Sequence, residues 1–189
     1  MLSLGTVVRE RYRVDRLLEI GALEGHYGGW DLHTNAPVLI KEMMPQPELD
    51  EETLLRLEAD FERDAALLTQ LEHPNIVRVL DYFCEPGEGA SGRSGPSPNA
   101  YLILKAAAGQ TLSELIAREG AIKEARVIAW ATQLLSALSY AHSQGLYHRD
   151  LKPNNVLILP DNRAMLTNFE ILALWNQNDP RTWTAKRVM

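Results

Sequence analysis

Cysteine is almost missing from this chain, with Cys84 the only one in 189 residues. A single thiol forms no internal disulfide and no cysteine-based zinc site, a usage that suits the cytoplasm. Cys84 itself, at the end of an apolar run, reads as a small buried group. Positive charge is also scarce. Lys and Arg number 19 against 25 Asp and Glu, for a net charge of −6. That balance argues against a nucleic-acid-binding surface. No stretch approaches the roughly 18 uninterrupted apolar residues of a membrane span. The opening residues, MLSLGTVVRERYRV, lack the apolar run of a signal peptide. His26, His33, His73 and His142 form no metal-binding spacing. What the chain does have is apolar content, 46%, enough to predict a buried core rather than disorder.

The first half reads mainly as strands. In RYRVDRLLEI, Tyr12, Val14, Leu18 and Ile20 follow a period of two. A glycine-bearing turn follows, then YGGWDL and APVLIKEMM as two more strands. Residues 51–71 read as a helix, with Leu54, Leu55, Phe61, Ala65 and Leu68 at helical spacing and Pro74 closing it. IVRVLDYF and AYLILKA are two further strands. Between them, ten of the 13 residues 86–98 are Gly, Ser or Pro, which predicts a flexible surface loop. The pattern then turns helical. TLSE, residues 111–114, is a capping box. A longer helix carries Val127, Trp130, Ala131, Leu134, Leu135, Leu138 and Ala141 on one stripe, read as core, and Gly145 ends it. NVLIL, the turn PDNR and AMLTN complete the order as a hairpin. The expected architecture is α+β in two lobes. Residues 1–104 form a five-stranded antiparallel lobe with one helix, and residues 105–189 form a mainly helical one. The bridge lies at residues 105–109.

Between the long helix and the hairpin lies HRDLKPNN, residues 148–155. It matches the pattern H-R-D-L-x-x-x-N, in the required place between a helix and a short strand. VLIK ends in Lys41 on a predicted strand, where V-A-I-K belongs. NFE, residues 168–170, sits where D-F-G belongs. LEHPNIVRV fits the segment between the lobe helix and the fourth strand. With these four motifs in order, the chain resembles the eukaryotic-type Ser/Thr protein kinases, and most of all the bacterial ones. The resemblance covers nearly the whole sequence.

The resemblance implies ATP and magnesium as cofactors, and a role for each motif. Lys41 would neutralise phosphate charge, with Asp64 as its helix partner. Gly21 would belong to the phosphate turn. Leu39, Leu104, Lys105, Ala107 and Leu157 would line the nucleotide, Leu104 as gatekeeper and Leu157 as floor. Asp150 would take the substrate hydroxyl proton, and Lys152 would meet the transferring phosphate. Asn155 and Asn168 would stand at the metal positions. His148 and Phe169 would stack with Leu68 and Val79 as an apolar spine. Asp150 also has a structural reading, in which it holds its loop by hydrogen bonds with Arg149 as a partner.

Five departures from the family pattern bear on activity. Asn168 replaces the D-F-G aspartate, offering magnesium a neutral oxygen where it favours a carboxylate. Glu170 replaces the glycine after it. Second, the phosphate turn falls on EIGALEGH, where only Gly21 matches and Glu19 and Glu24 replace the outer glycines. A one-residue slip would let Gly25 serve as the third. A carboxylate ~4 Å from a phosphate charge repels it by about 1 kcal/mol in water and about 4 at an effective dielectric of 20. Third, Leu39 and His26 fill the adenine roof, where overfilling costs roughly 1–3 kcal/mol. Fourth, Asp64 is one methylene shorter than the family glutamate. Fifth, the chain stops at Met189, inside the activation segment, with Thr182 and Thr184 where the family is often phosphorylated. Together these would lower ATP affinity by roughly 10²–10⁴.

The expected function is that of a pseudokinase, a binding or regulatory module with a degraded ATP and magnesium site. An apolar surface around the second lobe, with Trp175 and Trp183, would meet a protein partner or a second copy. The alternatives are a weak or atypical Ser/Thr kinase using Asp150, Lys152 and Asn155, completed by a partner, and a fragment of a longer kinase.

Overall fold

The computed structural model describes residues 1–21, 24–44, 50–86 and 98–169. Glu170, Trp175, Trp183, Thr182, Thr184 and most of the Gly/Ser/Pro loop lie outside the described residues. The chain divides into two units. Among the described residues, the first takes 1–69 and 79–106, and the second takes 70–78 and 107–169.

The first unit is a six-stranded antiparallel sheet, not the five-stranded one expected. The added strand is β1 (Val7–Val8), two residues that pair with β2 (Tyr12–Ile20). It is too short to leave a periodic signal. The sheet continues through β3 (Glu24–Asp31) and β4 (Ala36–Met43) to β6 (Pro98–Lys105), with β5 (Val79–Pro86) at the far edge. Tyr12 and Val14 are buried as the alternation predicts, but Leu18 and Ile20 are about half exposed. Register shifts between Val14 and Arg16 and between Leu17 and Glu19 interrupt the alternation, and Leu18 falls within the second. Each inserts a residue into β2, and the two together return Ile20 to phase opposite Gly25, so they account for Leu18 and not for Ile20.

One face of the sheet holds the main apolar cluster, including Tyr12, Val14, Tyr27, Val38, Ile40, Tyr101 and Ile103. Gly29 makes this packing feasible, since a Cβ there would sit 2.4 Å from the Arg13 carbonyl oxygen and 2.8 Å from Ile40. At the edge of the cluster lies Glu42, fully buried. Its carboxylate accepts from the Tyr27 hydroxyl at 2.8 Å, from Asn99 Nδ2 at 2.8 Å and from the Leu2 N–H at 3.2 Å. A buried charge is stable only when its lone pairs are so engaged. Gly25 serves the same network. A Cβ on it would meet the Tyr27 hydroxyl at 2.5 Å. Gly25 therefore sits in β3, paired with Glu42 and Ile20.

Helix α1 (Glu51–Thr69) packs against β5. Asp50 caps its start by accepting the Thr53 N–H at 2.7 Å. Phe61, Ala65 and Leu68 are buried as expected, but Leu57 completes the stripe instead of Leu55, which is exposed. Phe61 meets Tyr82 of β5 edge-on, with ring centroids 6.2 Å apart.

In the second unit, β7 (Gln110–Thr111) leads into α2 (Leu112–Glu119). The capping box is present in full, with Thr111 and Glu114 each bonding the other's backbone N–H. Helix α3 (Glu124–Ser143) follows, then a 3-10 turn (Pro153–Asn155), β8 (Val156–Ile158) and β9 (Ala164–Leu166). β7 adds a third strand to the predicted hairpin. The α3 stripe needs correction. Trp130, Ala137 and Ala141 are buried, whereas Val127, Ala131 and Leu135 are exposed. The buried side is the one that meets β9, and a polar residue anchors it. Gln133 Oε1 accepts from the Ala164 N–H at 2.8 Å and from Asn75 Nδ2 at 3.1 Å. Asn75 Nδ2 also donates to the Ala164 carbonyl at 2.7 Å.

Candidate functional site

In the first unit, pairing register brings the candidate residues to the sheet face opposite the apolar cluster. His26 pairs with Lys41, which pairs with Leu102, and Glu19 lies opposite His26 on β2. Leu39 pairs with Leu104 on the same face, since directly opposed residues share a side. Leu39 is half-buried and Leu104 buried, so both fill space there. Lys105 ends β6 and is exposed.

Lys41 Nζ lies 3.2 Å from Glu24 Oε2. Asp64 Oδ1 accepts from Arg63 Nε on its own helix at 3.0 Å. Glu24 Oε2 is also 3.8 Å from His26 Nε2, and Glu19 Oε2 is 3.6 Å from His26 Nδ1. Burial, then the nearby Lys41 charge, lowers the His26 pKa against the pull of both glutamates. Gly21 closes the β2–β3 turn by donating its N–H to the Glu24 carbonyl at 2.8 Å.

In the second unit, Asp150, Lys152, Asn155 and Asn168 converge. Lys152 Nζ is 2.6 Å from Asp150 Oδ2. Asn155 is buried, and its Nδ2 donates both to Asp150 Oδ2 at 2.9 Å and to the Asp150 carbonyl at 2.8 Å. With Nδ2 facing two acceptors, Asn155 must turn Oδ1 the other way. There it accepts from Asn168 Nδ2 at 3.3 Å. Asn168 has φ 60, a left-handed conformation that Asn adopts readily. The oxygen that the resemblance assigns to magnesium thus faces an N–H donor. The residues in this arrangement do not fit a cation, which needs oxygens directed at it. Among the described residues, no group of three or more His, Cys, Asp or Glu side chains could hold a metal ion.

His148 is buried and tilts against Phe169, with ring centroids 4.6 Å apart. Its Nε2 donates to the Thr167 carbonyl at 2.9 Å, which fixes the neutral tautomer. Burial lowers its pKa, opposed by that hydrogen bond and by Asp150. Leu157 lies half-buried between Thr111 and Met165 in the small sheet, and Ala107 is half-buried. Leu68 and Val79 are buried within the first unit. The residues missed in the sequence are Glu42 and Gln133. Neither belongs to a motif, and both act through partners distant in sequence.

Comparison with known proteins places the chain in a family. The protein kinase domain family matches residues 12–187. The chain belongs to the protein kinase family, in its bacterial Ser/Thr branch. The serine/threonine-protein kinase pkn3 of Myxococcus xanthus is 32% identical over 157 residues, 83% of this domain and 26% of the relative. PknA of Mycobacterium tuberculosis is 30% identical over 168 residues, 89% of this domain and 37% of the relative. This kinase-family domain therefore spans about a quarter to just over a third of those curated relatives. The solved PknI kinase domain of M. tuberculosis superposes with a TM-score of 0.71 at 26% identity, covering 90% of this chain and 62% of that one. A structure of Rad53 in complex with AMP-PNP, with a TM-score of 0.67 at 24% identity, shares the fold and covers 85% of this chain and 38% of its own.

Proposed function

We propose that this kinase-family domain works as a pseudokinase, a binding or regulatory module that does not hold magnesium–ATP in the family's usual way. One observation carries the reading: Asn168 turns an amide N–H, not a carboxylate, toward Asn155 Oδ1. Lys152 already neutralises Asp150, the remaining anion of the cluster. The exposed Ile128 and Leu135 on α3 support a protein partner or a second copy as what the module binds. The single cysteine is consistent with the cytoplasm, and no helix among the described residues is long and apolar enough to cross a membrane.

The test is thermal shift with ATP, with and without magnesium, on wild type and Lys41→Ala. The expected result is no magnesium-dependent stabilisation. A large one, lost in Lys41→Ala, would sink the reading. Asn168→Asp keeps a residue that tolerates the left-handed backbone and should introduce magnesium dependence. A second reading, weak phosphoryl transfer, is favoured by the intact Asp150, Lys152 and Asn155 cluster. Transfer of labelled γ-phosphate that disappears in Asp150→Asn would establish it.

A further inference from the structure

We propose that Glu24 is a tethered anion seated on Lys41, and that it decides which phosphate-bearing ligands this sheet face can take. The inference rests on the pseudokinase reading but stands on different residues, in the other unit. Glu24 and His26 lie on β3 and Lys41 on β4, all directed to one face by the pairing of His26 with Lys41 and Glu24 with Met43. The carboxylate oxygen sits 3.2 Å from the ammonium. That is the distance at which a phosphate oxygen would sit. The two partners also differ in exposure. The Lys41 side chain is 13% exposed and that of Glu24 49%, so the carboxylate is the outer member of the pair.

His26 strengthens the arrangement. Its Nε2 is buried with no hydrogen-bond partner, and burial together with Lys41 keeps the ring neutral near pH 7. It therefore offers Glu24 no competing cation. Glu19 adds a second carboxylate beside the ring. An incoming oxyanion meets two carboxylates before it meets the ammonium. The ligand class excluded is a nucleotide di- or triphosphate, or inorganic polyphosphate, whose charge on Lys41 Glu24 already supplies.

Isothermal titration of the whole chain with metal-free ATP and with tripolyphosphate tests this, using wild type, Glu24→Gln and the double variant Glu24→Gln with Lys41→Met. Removing a charge in contact with the bound phosphate should tighten binding by about tenfold or more in Glu24→Gln. The gain should vanish in the double variant. Glu24→Ala repeats the test with a shorter side chain, and thermal melts check that each variant folds. Equal affinity for wild type and Glu24→Gln overturns the proposal, as does absence of binding to both. A gain that survives Lys41→Met overturns the role of Lys41. The pseudokinase reading is judged separately, by magnesium dependence in wild type, so either can fail alone.

Discussion

Two histidines with different contacts carry the same lesson about polar groups in a core. His148 has one ring nitrogen bonded to the Thr167 carbonyl, and His26 sits between two glutamates. Yet burial keeps both from becoming cations, and in each it is the largest influence on the pKa, which is lowered. The unfolded chain protonates both as pH falls through about 6.5. The folded chain resists until lower pH, so the unfolded state binds more protons in that window. Stability from these two residues is complete above about 6.5 and declines below it. Asp31 acts in a separate range. Arg11 holds its carboxylate well below the usual value, so its contribution is lost only in strong acid. The melting temperature should therefore fall from pH 7 to pH 5.5. The double variant His26→Gln, His148→Gln should flatten that decline. A wild-type profile already flat over this range would contradict the assignment.

At the scale of elements, α3 and β9 depend on one amide. Gln133 accepts from the Ala164 N–H and from Asn75, tying the helix to the strand that leads directly into Thr167 and Asn168. Gln133→Leu preserves size but leaves a buried N–H without its acceptor, a loss of about 1–3 kcal/mol. Gln133→Glu keeps an acceptor and should lose less. Urea unfolding of the two variants measures the difference, and equal losses would show that packing alone matters. Sequence patterns reveal such contacts unevenly. The Thr111–Glu114 cap and the Asp150–Asn155 bond lie within a few residues, so local motifs expose them. Gln133 resembles any polar residue on a helix, because its partners come from residues 75 and 164. The Glu24–Lys41 pair depends on the β3–β4 register, which no single motif encodes. β2 misled its alternation for a similar reason, since its bulges are properties of the pairing and not of the strand alone.

For the whole molecule, the four kinase motifs mark the family by sequence alone, because their order along the chain is as specific as their residues. The fate of the α3 stripe was less legible. Period 3.6 marks which residues share a face, but not what covers that face. Val127, Ile128 and Leu135 are exposed among the described residues. If a second copy covers them, Ile128→Gln with Leu135→Gln should shift sedimentation toward monomer. The melting temperature of the dilute protein should hold, since exposed positions contribute within about 0.5 kcal/mol. A wild-type chain that sediments as a monomer at high concentration would eliminate self-association and leave a separate protein as the occupant.

Lys41 and Glu42 are neighbours on β4, yet one faces Glu24 and His26 and the other the buried tyrosines. Their alternation gives the strand a parity. A slip of one residue against β3 would drive an ammonium among Tyr27, Tyr101 and Asn99, with no acceptor carboxylate left there. It would also set a second carboxylate beside Glu24. Both errors are electrostatic, and both arise from the same displacement. Apolar alternation alone would penalise such a slip through packing, which can relax. Opposite charges on adjacent residues penalise it twice over, so the pair acts as an alignment mark that fixes the frame in which the sheet is read.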